Sequence, residues 1–235
     1  MSDTQATLPA PAAILFDWDN TLIDSWGTIH LALKDTFLAF GMTPWTLQEA
    51  RERVRESARD AFPKLFGARA DEAMTIFYDS FARRHLEGLQ SLPGAQACLA
   101  ALAQLSLPMG VVSNKAGPYL RREVEALAWS DYFGAVVGAN DAIRDKPDAE
   151  PVRMALRSME VEPTSAVWFV GDTDVDLLCA ANAGCTGVLL RREAPADGEF
   201  AGVRVARHLP DFAALLLLVE AACLTRFSGE AMHPA

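Results

Sequence analysis

Ile14-Leu15-Phe16-Asp17-Trp18-Asp19-Asn20-Thr21-Leu22 passes within nine residues from an apolar run to an acidic turn. An apolar run that breaks into two carboxylates one residue apart reads as a buried strand whose carboxyl end carries both acids to the sheet edge. Open α/β sheets place their chemistry at that edge. An aspartate there can attack an electrophilic phosphorus, and an acid two positions on can move a proton at the same centre. Asp-x-Asp also flanks many ordinary turns, so its meaning depends on what the rest of the chain brings to it.

Downstream of Thr21 the period changes. Asp24 or Ser25 caps a helix on which Trp26, Ile29, Leu33 and Phe37 share a face, ending near Gly41. Thr46-Leu47-Gln48-Glu49 has capping-box spacing and opens an arginine-rich helix. A short segment from Ala61 to Phe66 ends at Gly67, and Met74, Phe77, Phe81 and His85 mark one face of a further helix. Residues 24–89 therefore read as a helical insertion with its own small core, closed by Ser91-Leu92-Pro93-Gly94. Residues 1–23 and 90–235 form the remaining domain.

In that domain strands and helices alternate. A helix over Ala95 to Leu105 precedes a strand at Met109 to Val112, and Pro118 opens a helix carrying Leu120, Val124 and Leu127. A strand at Ala135 to Val137, a helix with Val152, Ala155, Leu156 and Met159 on one face, and a strand at Ala166 to Val170 follow. Then come a helix closed by Gly184, strands at Thr186 to Leu190 and Val203 to Val205, and a helix from Asp211 to Cys223, with frayed residues after Arg226. Repeated βα units predict an α/β fold with a parallel sheet covered on both faces.

Polar residues stand at four of these strand ends. Asp17, Asp19 and Thr21 are the first group; Ser113-Asn114-Lys115 is the second, where hydroxyl and amide groups leading into a helix suit phosphate oxygens. Asp145-Lys146-Pro147 is the third. Lys146 is one of only four lysines, and in a loop after a strand it can neutralise a transferring phosphoryl group. Gly171-Asp172-Thr173-Asp174-Val175-Asp176 is the fourth, and three acids so close together call for a cation or a helix dipole. Oxygen-only donors without His or Cys suit Mg²⁺.

Composition narrows the partners. A formal charge of -10 opposes nonspecific nucleic-acid or acidic-membrane binding, so an anionic substrate needs a local cluster of cations. The first dozen residues lack the basic and apolar regions of a signal peptide and read as a disordered lead-in. The apolar run Ala213 to Val219 is too short to span a bilayer and reads as a buried helix. Cys98, Cys179, Cys185 and Cys223 have neither metal-ligand nor Cys-x-x-Cys spacing and are expected as reduced thiols, with the cytoplasm as compartment.

Asp17-Trp18-Asp19-Asn20-Thr21, Ser113, Lys146 and Gly171-Asp172 with Asp176 together resemble the four-motif signature of the haloacid dehalogenase superfamily. The resemblance is closest to its phosphoglycolate phosphatase-like branch, in which a helical cap is inserted after the first motif. It implies a Rossmann-like core with an α-helical cap over residues 24–89. It also implies that Asp17 is a nucleophile forming an aspartyl-phosphate and that Asp19 is the general acid and then base. Thr21, Ser113 and Asn114 would orient the phosphate, and Lys146 would link nucleophile and phosphoryl group. Mg²⁺ would be held by Asp17, Asp172 and the Asp19 backbone carbonyl, with Asp176 acting from behind them and Asp174 exposed.

Asn20 stands where many relatives carry glycine, and asparagine is the side chain that best tolerates positive φ. Trp18 is bulkier than the usual aliphatic residue and is expected to face away from the nucleophile. Asp19 favours phosphate-ester chemistry over dehalogenation. If one helix runs through Arg51, Arg55 and Arg59 they form a stripe that can meet an anionic substrate; the favoured expectation is that most of them are solvated or paired with Glu49, Glu52 and Glu56. Trp45, Phe62 and Phe66 are expected in the cap core. The expected activity is Mg²⁺-dependent hydrolysis of a small phosphorylated metabolite such as phosphoglycolate, by a monomer or homodimer. A phosphosugar mutase and a non-catalytic phosphometabolite sensor are the alternatives.

Overall fold

The computed structural model describes residues 8–230. Its centre is a parallel six-stranded sheet of β1 (Ala13–Phe16), β2 (Met109–Ala116), β3 (Ala135–Ala139), β4 (Val167–Gly171), β5 (Thr186–Leu190) and β6 (Arg207–Leu209), in the order β3-β2-β1-β4-β5-β6. All four residues of β1 are buried, because both faces of the strand are covered. Ile14 and Phe16 pack on the side of α5 (Ala95–Gln104), α6 (Gly117–Ala126) and α9 (Phe212–Glu230), whereas Ala13 and Leu15 pack on the side of α7 (Glu150–Ser158) and α8 (Asp174–Ala183). Strand pleat alone sorts them. The two halves of the sheet diverge between β1 and β4, so the crevice for a ligand lies beyond the carboxyl ends of these two strands.

Four helices intervene between β1 and α5: α1 (Trp26–Ala39), α2 (Leu47–Arg53), α3 (Ala58–Phe66) and α4 (Ala70–Ala82). Their core is aromatic. Phe37 and Phe62 are buried, with Trp45, Phe66 and Phe77 packed around them at ring separations of 4.8 Å for Phe37–Trp45 and 5.3 Å for Phe62–Phe77. The chain leaves the sheet and returns to it along one seam, where Ile23 bridges Ser91 and the Asp24 N–H donates to the Gln90 carbonyl. The capping box of α2 forms as its spacing predicts.

Several expectations are corrected. Arg51, Arg55 and Arg59 do not share a helix, because α2 ends at Arg53 and Val54 is extended. Arg59 instead crosses to the sheet domain and pairs with Asp145 at 2.7 Å, and Arg53 is the residue that meets Glu49. β2 continues to Ala116 through a register shift, so Ser113-Asn114-Lys115 belong to the strand itself. The last strand lies at Arg207–Leu209 and not at Val203 to Val205, since that is where the chain reaches the edge of β5 and Leu209 enters the core. Leu215 and Val219 of α9 are buried but Leu217 is exposed, so the apolar run covers only one face. α9 runs on to Glu230, past the expected frayed end. Residues 1–7, most of the expected lead-in, lie outside the described residues, while Leu8 and Ala10 already pack on the core. Among the described residues no helix is long and apolar enough to cross a membrane.

Candidate active site

Asp17 follows β1 directly, and its N–H donates to the Val170 carbonyl of β4, which seats the carboxylate at the crevice. The backbone then turns at Asn20, whose φ of 65° fits the tolerance of asparagine for this region. Trp18 points the other way, wholly buried and edge-on to Trp129 at 5.8 Å.

Lys146 closes the site from the loop after β3. Its Nζ donates to Asp17 Oδ1 at 2.6 Å and to Asp176 Oδ1 at 2.7 Å. The loop is pinned by Asn114, whose Oδ1 accepts from the Lys146 N–H at 3.0 Å and whose Nδ2 donates to the Lys146 carbonyl at 3.2 Å. The Asn114 side chain is therefore spent on holding Lys146. The Ser113 hydroxyl is buried beside it and accepts from the Lys115 N–H at 3.1 Å.

The carboxyl end of β4 supplies the remaining acids. Gly171 is required there, because a Cβ on it would lie 2.3 Å from Asp176 Cβ. Asp176 Oδ2 accepts from the Thr173 N–H and hydroxyl at 3.0 and 2.9 Å, so this carboxylate is fully engaged by Thr173 and Lys146. Among the described residues, Asp172 is held more loosely. The Thr21 hydroxyl lies 3.2 Å from Asp172 Oδ1 and 3.3 Å from Asp17 Oδ2, both long for such bonds. Asp174 is half-exposed, 4.0 Å from Arg55.

The electrostatics follow from this placement. Burial pushes the Asp17 carboxyl up to about 7 against the pull of Lys146, and Asp176 adds to the rise. Burial, then Asp176 and Asp17, hold Asp172 well above the usual carboxylate range. Burial pulls the Lys146 ammonium down, but Asp17 and Asp176 outweigh it and raise it. Oxygens of Asp17, Asp172 and Asp176 lie within 4.8 Å of one another. Two carboxylates share one buried ammonium, and Asp17 Oδ2 and Asp172 face each other across one threonine hydroxyl. This donor set fits a hard divalent cation between Asp17 and Asp172.

A second buried cluster escapes the sequence reading. Lys115 Nζ stands 2.6 Å from Asp19 Oδ1, an ion pair without hydrogen-bond alignment, and 2.5 Å from Glu123 Oε2. Glu123 also accepts from Trp18 Nε1 at 2.7 Å and lies 2.9 Å from His85 Nδ1. One signal was available: Glu123 falls on the same face of α6 as Leu120, Val124 and Leu127, where an acid needs buried partners.

Above these groups, a cavity of about 170 Å³ separates the sheet domain from the helical insertion. Asp17, Asp19, Ser113, Lys146 and Asp172 form its floor, and Ile29, Phe62, Tyr78, Arg53 and Arg55 contribute from the insertion.

Residues 14–190 match the family described as haloacid dehalogenase-like hydrolase. A phosphoglycolate phosphatase of Photorhabdus laumondii is 32% identical over 181 residues, covering 74% of this chain and 77% of the relative. A phosphoglycolate phosphatase of Rhodospirillum rubrum is 32% identical over 192 residues, covering 77% and 79%. Among solved structures, a haloacid dehalogenase-like hydrolase of Streptococcus pneumoniae superposes with a TM-score of 0.77 at 20% identity, covering 88% of this chain and 98% of that one. With its α/β sheet, inserted helices and acidic crevice, the chain belongs to the haloacid dehalogenase-like hydrolase family.

Proposed function

We propose that this hydrolase is a Mg²⁺-dependent phosphatase that cleaves a small phosphomonoester through a phosphorylated Asp17. The observation that carries this reading is the cluster of Asp17, Asp172 and Asp176, two of them held by the buried Lys146, with Asp19 on the same cavity floor. Asp17 attacks phosphorus in line, forming an acyl phosphate as the ester P–O bond breaks, and Asp19 donates its proton to the departing alkoxide oxygen. Asp19, now ionised, takes a proton from the water that attacks phosphorus. The Asp17–phosphate bond then breaks and inorganic phosphate leaves. Lys146 holds Asp17 and offsets charge on the phosphoryl oxygens, while Ser113 and Thr21 orient them. Asp17, Asp172 and the Asp19 carbonyl would hold Mg²⁺, which when bound neutralises the meeting of anionic nucleophile and anionic substrate.

Residues 24–89 act in this reading as a cap that excludes bulk water during transfer. A cavity of about 170 Å³ suits a compact alcohol. Phosphoglycolate is the leading candidate because the relatives above carry that name, and Arg53 and Arg55, which line the cavity, are the insertion's cations that would meet its carboxylate. Four reduced cysteines suit the cytoplasm, and the reading is compatible with a monomer or a homodimer.

Phosphate release from a panel of phosphomonoesters, measured with Mg²⁺ and with EDTA for the wild type and Asp17→Asn, tests the proposal. Release that needs both metal and Asp17 supports it. No release from any panel member overturns it.

A further inference from the structure

Glu123 is a buried carboxylate that touches none of the phosphate-handling groups, yet it organises the surroundings of Asp19. Its Oε2 accepts from Trp18 Nε1, the side chain next to Asp19 in sequence, and from Lys115 Nζ, whose ammonium also pairs with Asp19 Oδ1. Its Oε1 meets His85, in the segment that returns from the helical insertion. That ring is fixed in turn, stacked on Phe81 at 5.3 Å and edge-on to Tyr119 at 5.1 Å. A buried carboxylate with three directed partners is costly to desolvate, and an apolar residue on α6 would pack at lower cost.

We propose that Glu123 is a positioning residue for Asp19, an inference that rests on reading Asp19 as the general acid. The Lys115 ammonium is a mobile point charge on a flexible stem. Glu123 sets where that ammonium sits, and the ammonium sets where the Asp19 carboxylate points. The Trp18 indole bond fixes the backbone between Asp17 and Asp19 from behind. Since His85 closes the other side of Glu123, the arrangement also ties the return of the insertion to the group that protonates the leaving oxygen.

Leaving-group dependence tests this. An alkyl phosphate needs protonation of its departing oxygen, whereas p-nitrophenyl phosphate departs as a stabilised phenolate with little help. For Glu123→Gln, single-turnover cleavage of an alkyl phosphate should fall by roughly one to two orders of magnitude, and the p-nitrophenolate burst should be nearly unchanged. Trp18→Phe, which keeps an aromatic side chain but removes the indole N–H together with the five-membered half of the bicycle, should move the ratio of the two rates in the same direction by less, and it serves if Glu123→Gln does not fold. Equal losses on both substrates, or an unchanged ratio in the folded variants, overturn the positioning role and leave the phosphatase reading standing. A wild type that cleaves neither substrate overturns the phosphatase reading, and this inference with it.

Discussion

Lys146 Nζ lies 2.6 Å from Asp17 Oδ1 across 129 residues of chain, and both side chains are buried. Asp176 shares the same ammonium, so one cation holds two buried carboxylates. Removing a partner from such a set leaves uncompensated charge in a low-dielectric site. Lys146→Met should cost about 3–5 kcal/mol of stability and abolish phosphate release. Denaturant titration and a phosphate assay check the two effects separately, and a variant of wild-type stability would contradict the burial argument.

The raised Asp17 carboxyl links stability to pH. Its folded value of about 7 stands above the ordinary 3.8 of an aspartate in the unfolded chain, so between these values the folded state binds the extra proton. Stability of the metal-free protein should therefore fall as pH rises through that window, with the sign set by the excess protons of the folded state. Mg²⁺ needs the ionised carboxylate, so its affinity should rise over the same range. Thermal melts from pH 5 to pH 8, with and without Mg²⁺, check this, and metal stabilisation that is equal at both ends would refute it.

Gly171 has no room for a side chain, because a Cβ would overlap Asp176. Gly171→Ala should displace Asp176 from Lys146 and Thr173, lowering the melting temperature and reducing phosphate release by at least tenfold, about 1.4 kcal/mol of barrier. A melt and a steady-state assay on the purified variant decide the matter.

Arg59 reaches from α3 to Asp145, the neighbour of Lys146, at 2.7 Å. Asp145 is buried, so Arg59→Ala leaves its carboxylate without this cation and should cost more than the roughly 1 kcal/mol of an exposed pair. Its effect should appear as faster hydrogen exchange in α3 and a higher KM, because the contact joins the insertion to the sheet domain. Unchanged exchange in α3 would show that the pair does not restrain the insertion.

Metal removal should act through Asp17 and Asp172. EDTA should abolish phosphate release, and Mg²⁺ should restore it and raise the melting temperature of the wild type by ligand linkage. Asp172→Asn should lose most of that metal-dependent rise, which calorimetry reads without any substrate.

The sheet was legible because its strands are short apolar runs ending in polar residues, and a buried parallel strand has no other pattern. β1, β5 and the capping box of α2 rest on local spacing, which a chain carries in its sequence. The acids at the ends of β1 and β4 were legible for the same reason. The condition for an arginine stripe at 51, 55 and 59 is not met, because period four implies one face only while the helix lasts, and Val54 ends it.

Alone, then, the sequence determined the α/β sheet, the helical insertion and the strand ends that carry Asp17 and Asp172, since hydrophobic period and turn chemistry are local properties. Tertiary structure decided who pairs with whom. Glu123 meets Trp18, Lys115 and His85, Arg59 meets Asp145, and Asn114 holds Lys146, because charges taken out of water must find partners wherever packing brings them, at separations that no local pattern records.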